Sequence, residues 1–516
     1  MNGFDRFISF FSPKAGARRA SFRALESFAK RRYEGSAKGR RTKGWKSPST
    51  SANSEIESSI TTLRNRSRQL VRDNAYAARG VQVVEANVIG KGIMGQVKVD
   101  SGQKNRTDNE SAKNREKDLS QRWKAWSSAE NLDMEGRLNL FSMQRLLMRS
   151  VVESGEVFVR RIATGRRSVR TPDGKVVEIP AFKLQVLESD FLDSNGIGVT
   201  PLQGNKVIQG IEFNQQNERV AYHMYLEHPG DNLSGVGMSL KTTFKTVRIP
   251  ADEILHIYRI DRPGQIRGVP WLHPVMIRLK DLDEYEDAQL VRQKIAACFS
   301  VFIKDIDGVD ATMTPKEGEL GEKVEPGIIE FLPPGKDIEL ANPPGVQNYA
   351  EYTNAEKRAI ATGLGITFES MTQDYSQVNF SSGRMGWIEM GRNVDMWRQD
   401  MMVSQFLNPL FGWFMDGLAL LGVDTTRTRP MWTPPRREMI DPVKETEALK
   451  TQVRSGFTSF SDSIRMSGKD PENHFDELER DKEKIEELGL ILDSDPSADA
   501  DRLNTEQPAA STSGDE

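Results

Sequence analysis

WLHPVMIRLKDLDEYEDAQLVRQKIAACF, residues 271–299, divides the chain. In its first half Leu272, Val275, Leu279 and Leu282 recur at intervals of three and four, the stripe of a helix that buries one face. In its second half, DLDEYED puts five carboxylates, Asp281, Asp283, Glu284, Glu286 and Asp287, into seven residues. Like charges at i and i+4, such as Asp283 and Asp287, repel by a few tenths of a kcal/mol. Such a helix is better tolerated when basic groups of a neighbouring subunit face it, so the cluster reads as an acidic contact face. A divalent-cation site is the competing reading. Cys298 is the one cysteine; it lies in the apolar run KIAACFSVF, where a small buried hydrophobe is expected, and no disulfide can form within the chain.

The texture before this helix is different. EVFVRRI, FKLQVLE, VIQGIEF, VAYHMYL and EILHIYRI are strand-type runs separated by the turn signals PDG, SNG and PG, a mainly β region of about a hundred residues. Further upstream, residues 56–89 read as helix with one punctuation, and a second helical stretch carries Trp123 and Trp126. Downstream, residues 300–349 read as short strands with Pro/Gly turns, among them GIIEFLPPGKDIELANPP, and a shorter helix follows at about 350–364.

That helix leads into QDYSQVNFSSGRMGWIEMGR, residues 373–392. Amide, hydroxyl and aromatic groups come first. From Ser381 a long helix places Trp387, Met390, Val394, Trp397 and Met401 on one stripe. Asn408-Pro409 should kink it, because proline lacks a backbone donor and clashes with the preceding turn. TRPMWTPPRRE reads as a connector. Asp441-Pro442 and Asp470-Pro471 each open a helix, the second ending before Gly489.

At 516 residues the chain is too long for one ordinary core. With 28% charged and 37% hydrophobic residues it is polar for its size, as a subunit of a large assembly would be. The net charge of −3 hides two opposite ends: residues 1–50 hold 13 Lys plus Arg against 3 Asp plus Glu, while DSDPSADADRLNTEQPAASTSGDE is acidic. Both read as disordered, a basic arm over 1–58 and an acidic tail over 492–516. No stretch approaches the roughly 18 apolar residues of a membrane span, and MNGFDRFISFFSPK lacks the apolar core of a signal peptide.

Catalytic and cofactor motifs are weak. GKGIMG, Gly90 to Gly95, matches G-x-G-x-x-G, but a helical pattern precedes it and strand-like QVKVD follows, the reverse of a dinucleotide site; a helix stop and turn is the better reading. GRRTKGWKS imitates a phosphate loop, yet Trp45 separates Gly44 from Lys46. His223, His228, His256, His273 and His474 form no metal-ligand pattern, and Glu253 with His256 is a lone E-x-x-H on a strand-like segment. No catalytic residue, cofactor or metal is expected.

The ordered set LVRDNAYAARGVQVVEANVIGKGI, ESGEVFVRR, RPGQIRGVPWLHPVMIRLKDLDEYEDAQLVRQKIAACF, IIEFLPPGKDIELANP and IATGLGITFESMTQDYSQVNFSSGRMGWIEMGR resembles phage portal proteins of the lambda type, over roughly residues 60–490. The resemblance implies an α+β portal fold and a ring, typically of twelve subunits, at one capsid vertex of the virion, assembled in the host cytoplasm. Double-stranded DNA would be packaged through its channel by the terminase large subunit and later ejected. Head-completion or adaptor proteins, tail proteins and the major capsid protein would be the other partners. By order along the chain, the wing is 59–269, the first stem helix 270–299, the clip 300–349, the second stem helix 350–365, the tunnel loop 366–383, the long kinked wing helix 384–422 and the helical crown 423–491.

The resemblance places Asp374, Tyr375, Ser376, Gln377, Asn379 and Phe380 toward DNA, with Ser381, Ser382 and Gly383 as a flexible hinge. The composition suits that position, because cations in the bore would each add counterion-release affinity for phosphate and hinder sliding. Two other readings are a capsid scaffold or shell subunit without a channel, and a metal-dependent nucleic-acid enzyme built on the acidic cluster.

Overall fold

The computed structural model describes residues 46–490 except 101–105, 172–173, 195, 197–198, 200, 203, 232–244, 298–300, 306–335 and 341–347, together with a few positions before 46. Side chains at 106–109, 295–297, 301–305 and 336–340 are likewise outside the description. The acidic tail, Cys298, most of the segment 300–349 and most of the basic arm before residue 46 therefore lie outside the described residues; the end of the arm, read as disordered, forms a short helix at Ala52–Glu57. Residues 1–55 and 56–516 are separate compact units. The second unit is a mixed helix and sheet structure and carries every element named below. Among the described residues no helix is long and apolar enough to cross a membrane.

The punctuation in the first helical run is Asn74. It ends α1 (Ile60–Asp73) and starts α2 (Ala75–Val88), its side-chain oxygen accepting the backbone N–H groups of Tyr76 and Ala77, both at 3.0 Å. Gly90 and Gly92 then stop the helix and turn the chain into β1 (Met94–Val99). Gly92 has φ +118°, and a Cβ there would lie 2.2 Å from the Phe141 ring. The glycines of GKGIMG thus serve a helix stop and a close approach, as expected from the sequence.

α3 (Arg106–Trp126) and α4 (Leu140–Ser154) follow. Gly155, at φ +93°, ends α4; a Cβ there would meet the Val269 carbonyl carbon at 2.6 Å. The strand-type runs then become β2 (Glu156–Ala163), β3 (Arg167–Arg170), β4 (Val176–Ile179), β5 (Phe182–Glu188), β6 (Lys206–Ile208), β7 (Ile211–Phe213), β8 (Arg219–Tyr225), β9 (Thr246–Pro250) and β10 (Ile254–Tyr258). They form a three-stranded sheet of order β10-β2-β5, a four-stranded sheet β6-β7-β8-β9 and a hairpin β3-β4. All pairings are antiparallel. Phe158, Leu187, Ile211, Phe213, Tyr222, Met224, Ile249 and Ile254 fill one apolar cluster, contributed by both larger sheets.

α5 (Met276–Ala297) bears out the stripe at its start: Leu272, Val275, Leu279 and Leu282 are all buried. Beyond Leu282 the described side chains are half-buried or exposed. β11 (Val301–Asp305) pairs antiparallel with β12 (Lys336–Leu340), which lies within the predicted strand segment. α6 (Tyr349–Leu364) returns alongside α5. Tyr285 and Tyr352 meet edge to face at 4.9 Å, and Arg278–Glu356 (2.6 Å) and Lys357–Glu286 (3.2 Å) pair across the two helices.

After the short α7 (Phe368–Thr372), α8 (Phe380–Trp397) starts the long helix at Phe380. It runs on through a π-helical segment, Arg398–Leu407, into α9 (Asn408–Ala419). Pro409 does not break it. The missing donor falls in the first turn of α9, where it costs least, and the turns before it widen to i→i+5 bonding instead. Met390, Val394, Trp397 and Met401 are buried and Trp387 is half-buried.

The principal core joins this helix to α2, α4 and the start of α5. Trp271 and Trp397 pack at 4.8 Å, and Trp123 meets Phe414 at 5.0 Å.

The stretch read as a connector is a strand, β13 (Thr428–Thr433), antiparallel to β1 with Pro430 opposite Val97. In a two-stranded ribbon each strand keeps one free edge, which tolerates the absent N–H of Pro430. The last helices are α10 (Pro442–Arg454), α11 (Phe460–Met466) and α12 (Pro471–Leu488). Asp441 and Asp470 cap the first and third, and Gly489 follows the third, as their sequence signals predict.

Candidate functional site

The segment between α6 and α8 is held at its base and open at its tip. Gly365 ends α6 in the left-handed region, and its carbonyl accepts Asn393 Nδ2 of α8 at 3.1 Å. Thr367 caps α7, and Arg79 of α2 donates to the Ser370 carbonyl at 3.2 Å. Ile366 and Met371 are buried. The chain then turns at Gln373, φ +59°.

Asp374 closes an Asx turn, its Oδ1 accepting the Ser376 N–H at 3.0 Å. Hydrogen bonding from Ser376 holds the Asp374 carboxyl below its ordinary range. Asp374, Tyr375, Ser376, Gln377, Asn379 and Phe380 are all exposed, Tyr375 at 63% and Phe380 at 57%. From Ile366 to Gly383 there is no Lys, Arg or His. All six residues expected at the tip are thus exposed: Asp374 to Gln377 in the turn, Asn379 at the start of α8 and Phe380 as its first residue.

Asn379 has a further task. Its side chain accepts the Ser382 N–H at 2.8 Å, and Ser382 Oγ accepts the Asn379 N–H at 3.2 Å, a reciprocal capping box. Ser381, Ser382 and Gly383 form the first turn of α8, and Ser382 is pinned by that box.

The five acidic residues on α5 separate. Glu286 turns inward to Lys357 and to the Tyr76 hydroxyl (3.4 Å), and Glu284 pairs with Lys280 at 3.3 Å. Asp281, Asp283 and Asp287 remain exposed, with no ion pair among the described residues.

Two clusters have no local signal in the sequence. The first is centred on Glu156, fully buried at the start of β2. It accepts from Arg267 Nε (2.8 Å) and Nη2 (2.5 Å), Arg64 Nη2 (3.1 Å), the Gly268 N–H (2.9 Å) and His256 Nε2 (3.0 Å). Burial opposes the charge on Glu156, but Arg267 and the His256 hydrogen bond hold its carboxyl well below the ordinary range. Burial also holds His256 down at about 4, so the ring is neutral at pH 7. His256 therefore has its acid partner a hundred residues away on β2 rather than at Glu253.

The second cluster is Glu188, Asp190 and His228, whose ligand atoms lie within 4.8 Å of one another. Arg68 Nη2 donates to Glu188 at 2.9 Å and to Asp190 at 2.6 Å, so a guanidinium already supplies the positive charge that a metal would bring.

Comparison with known proteins gives the family. Residues 38–398 match the family described as phage portal protein, lambda family. The chain belongs to that family, and its class is that of a phage portal protein. It is 28% identical over 444 residues to the "Probable portal protein" of Halomonas phage phiHAP-1, covering 83% of this chain and 81% of that one. To "Portal protein B" of Escherichia phage lambda it is 21% identical over 511 residues, 90% of this chain and 92% of the other. A chain from the virion of a native gene transfer agent particle aligns with TM-score 0.45 and 14% identity, over 80% of this chain and 93% of that one.

Proposed function

We propose that this portal protein forms a ring, typically of twelve copies, at one vertex of the virion capsid, and that double-stranded DNA passes through it during packaging and ejection. In this reading 59–269 and the long helix 384–422 form the wing, and α5 and α6 form the stem. Residues 300–349 are the clip, which meets the terminase large subunit and then the head-completion and tail proteins. The crown is 423–491, here without β13, which is a ribbon partner of β1. Asp281, Asp283 and Asp287 meet basic groups of the adjacent subunit.

The observation that carries the reading is the tip at 373–380, anchored to α2 and α8 at its base and free of cations. Each phosphate neutralised by a Lys or Arg adds counterion-release affinity, and a ring multiplies that by its copy number. A tip of amides, hydroxyls and aromatic edges touches the DNA backbone without gripping it. Asp374, held in its charged form, keeps phosphate at a distance. Movement comes from the tip, because Ser382 fixes the start of α8.

The test is a photoreactive phenylalanine analogue at position 375 in particles packaged to completion. Cross-links to DNA are expected. Intact packaging with no cross-link from 375 or 380 overturns the assignment of the tip to the bore. Electron microscopy of the purified chain tests the ring separately.

A further inference from the structure

A cleft of about 590 Å3 lies where the end of α2, the glycine turn, α8 and the segments at 435–438 and 467–469 converge. Its apolar part comes from Phe141, Trp387, Met390 and Val394. Its charged part is lopsided: Lys91, Arg398, Arg436, Arg437 and Lys469 line it, against Glu438 alone.

Two of these cations are engaged. Arg398 donates to the Val88 and Asn87 carbonyls, each at 2.9 Å, and to Asp395 at 2.9 Å. Arg437 donates to the Gly391 carbonyl and to Asp395 (2.8 Å). Lys91, Arg436 and Lys469 are exposed and have no ion pair among the described residues. They come from three distant stretches of chain and gather at one rim. Unpaired like charges so gathered repel unless an anion joins them.

We propose that this cleft binds the chain's own acidic C-terminal segment, residues 491–516. Seven carboxylate side chains, from Asp493 to Glu516, stand there against the single cation Arg502. Ile491 and Leu492 precede them and Leu503 lies among them. An apolar floor beneath a basic rim suits such a mixture, whereas a nucleic-acid phosphate has no use for the floor.

Reach permits it. The cleft includes Lys469, and the 18-residue α12 carries the chain about 27 Å from there. The 26 residues beyond 490 span up to about 85 Å when extended, ample for a return. Tethering at that length gives an effective concentration on the order of millimolar, so even a weak charge-based contact is populated.

The experiment is carbodiimide cross-linking of the full-length chain, which joins lysine amines to carboxylates in contact. Light and isotopically heavy chains are mixed and the products read by mass spectrometry. Lys482 and Lys484 on α12 are nearer to the segment in sequence and report mere proximity. The expected result is light–light and heavy–heavy links from Lys91 and Lys469 to acids of 491–516, exceeding those from Lys482 and Lys484. Arg436→Glu should lower them about tenfold, the effect of losing one charge-assisted contact.

Links confined to Lys482 and Lys484, or cleft links indifferent to Arg436→Glu, overturn the proposal. Mixed heavy–light links making up about half of the cleft links, the share that random pairing between equal populations of chains gives, overturn the intrachain assignment. Protection of Lys91 and Lys469 by duplex DNA, with the C-terminal acids unlinked, gives the cleft to phosphate instead.

Discussion

Gln405, in the π-helical segment, accepts the backbone N–H of Tyr258 through Oε1 at 2.9 Å. Tyr258 ends the edge strand β10, so a donor with no further strand to bond is satisfied by the long helix. Widening the turns there accommodates Pro409 while Gln405 keeps its bond to the strand. Gln405→Ala leaves the Tyr258 N–H, at a buried residue, without a partner. The expected cost is about 1–2 kcal/mol, read as a lower denaturation midpoint. Gln405→Glu, which keeps an acceptor, should restore most of it.

Replacing Glu156 by Gln removes the carboxylate that Arg64 and Arg267, both buried, share, leaving Arg64 only its longer pairing with Asp190 at 3.8 Å and Arg267 no ion pair among the described residues. A fully buried Arg267 guanidinium without a counter-charge costs roughly 3–5 kcal/mol. A midpoint within about 0.5 kcal/mol of wild type would mean that the cluster holds less charge than its geometry implies.

Acid should weaken the fold in two windows. His256 is held at about 4, below its unfolded value near 6.5. Between those values the unfolded chain takes up a proton that the folded chain does not, so stability falls as pH drops from about 6.5 to 4, on the order of 3 kcal/mol in all. Glu212 is held at about 2, below its unfolded value near 4.5, by hydrogen bonds from Arg248 and Asn205 that outweigh its burial. Its contribution is present above about 4.5 and lost as pH falls toward 2. Denaturation of His256→Gln across pH 4–7 isolates the first window: its slope should flatten while the lower window stays.

These clusters mark how far the sequence could be read. Helix starts at Asp441-Pro442 and Asp470-Pro471, and the strand runs from EVFVRRI to EILHIYRI, were legible because a cap or an alternation is settled within a few residues. β13 was not, since Pro430, Pro434 and Pro435 mask a strand whose partner, β1, lies more than three hundred residues earlier. The partners of Glu156 and the rim of the basic cleft are likewise assembled by the fold from remote stretches. For the loop, composition was legible, but the role of Asn379 as a cap needed the backbone.

Gly92→Ala separates the two readings of GKGIMG. A Cβ at φ +118° would be strained and would collide with Phe141, costing about 1–3 kcal/mol. If the glycines serve only the turn, titration of the wild-type chain with nucleotide shows no saturable binding, and the substitution moves only the denaturation midpoint. Saturable binding lost in Gly92→Ala would reinstate the nucleotide site.

The capping box at the start of α8 sets where the loop can move. With Asn379 satisfying the Ser382 N–H and Ser382 satisfying Asn379 in return, the first turn is closed and exchange of its amides should be slow relative to residues 374–378. Asn379→Ala removes one half of the pair and should cost about 1 kcal/mol. The first turn would then fray, so amides at 382 and 383 would exchange roughly fivefold faster, the equivalent of that energy. Asn379→Asp retains an acceptor and should leave exchange near wild type. If both variants exchange alike and faster, the cap depends on the amide donor instead. If neither changes, the turn is held from Gly365 and Asn393 alone. If the tip faces the bore as proposed, the frayed turn of the alanine variant should broaden the cross-linking of residue 375 to DNA into several products while packaging itself continues.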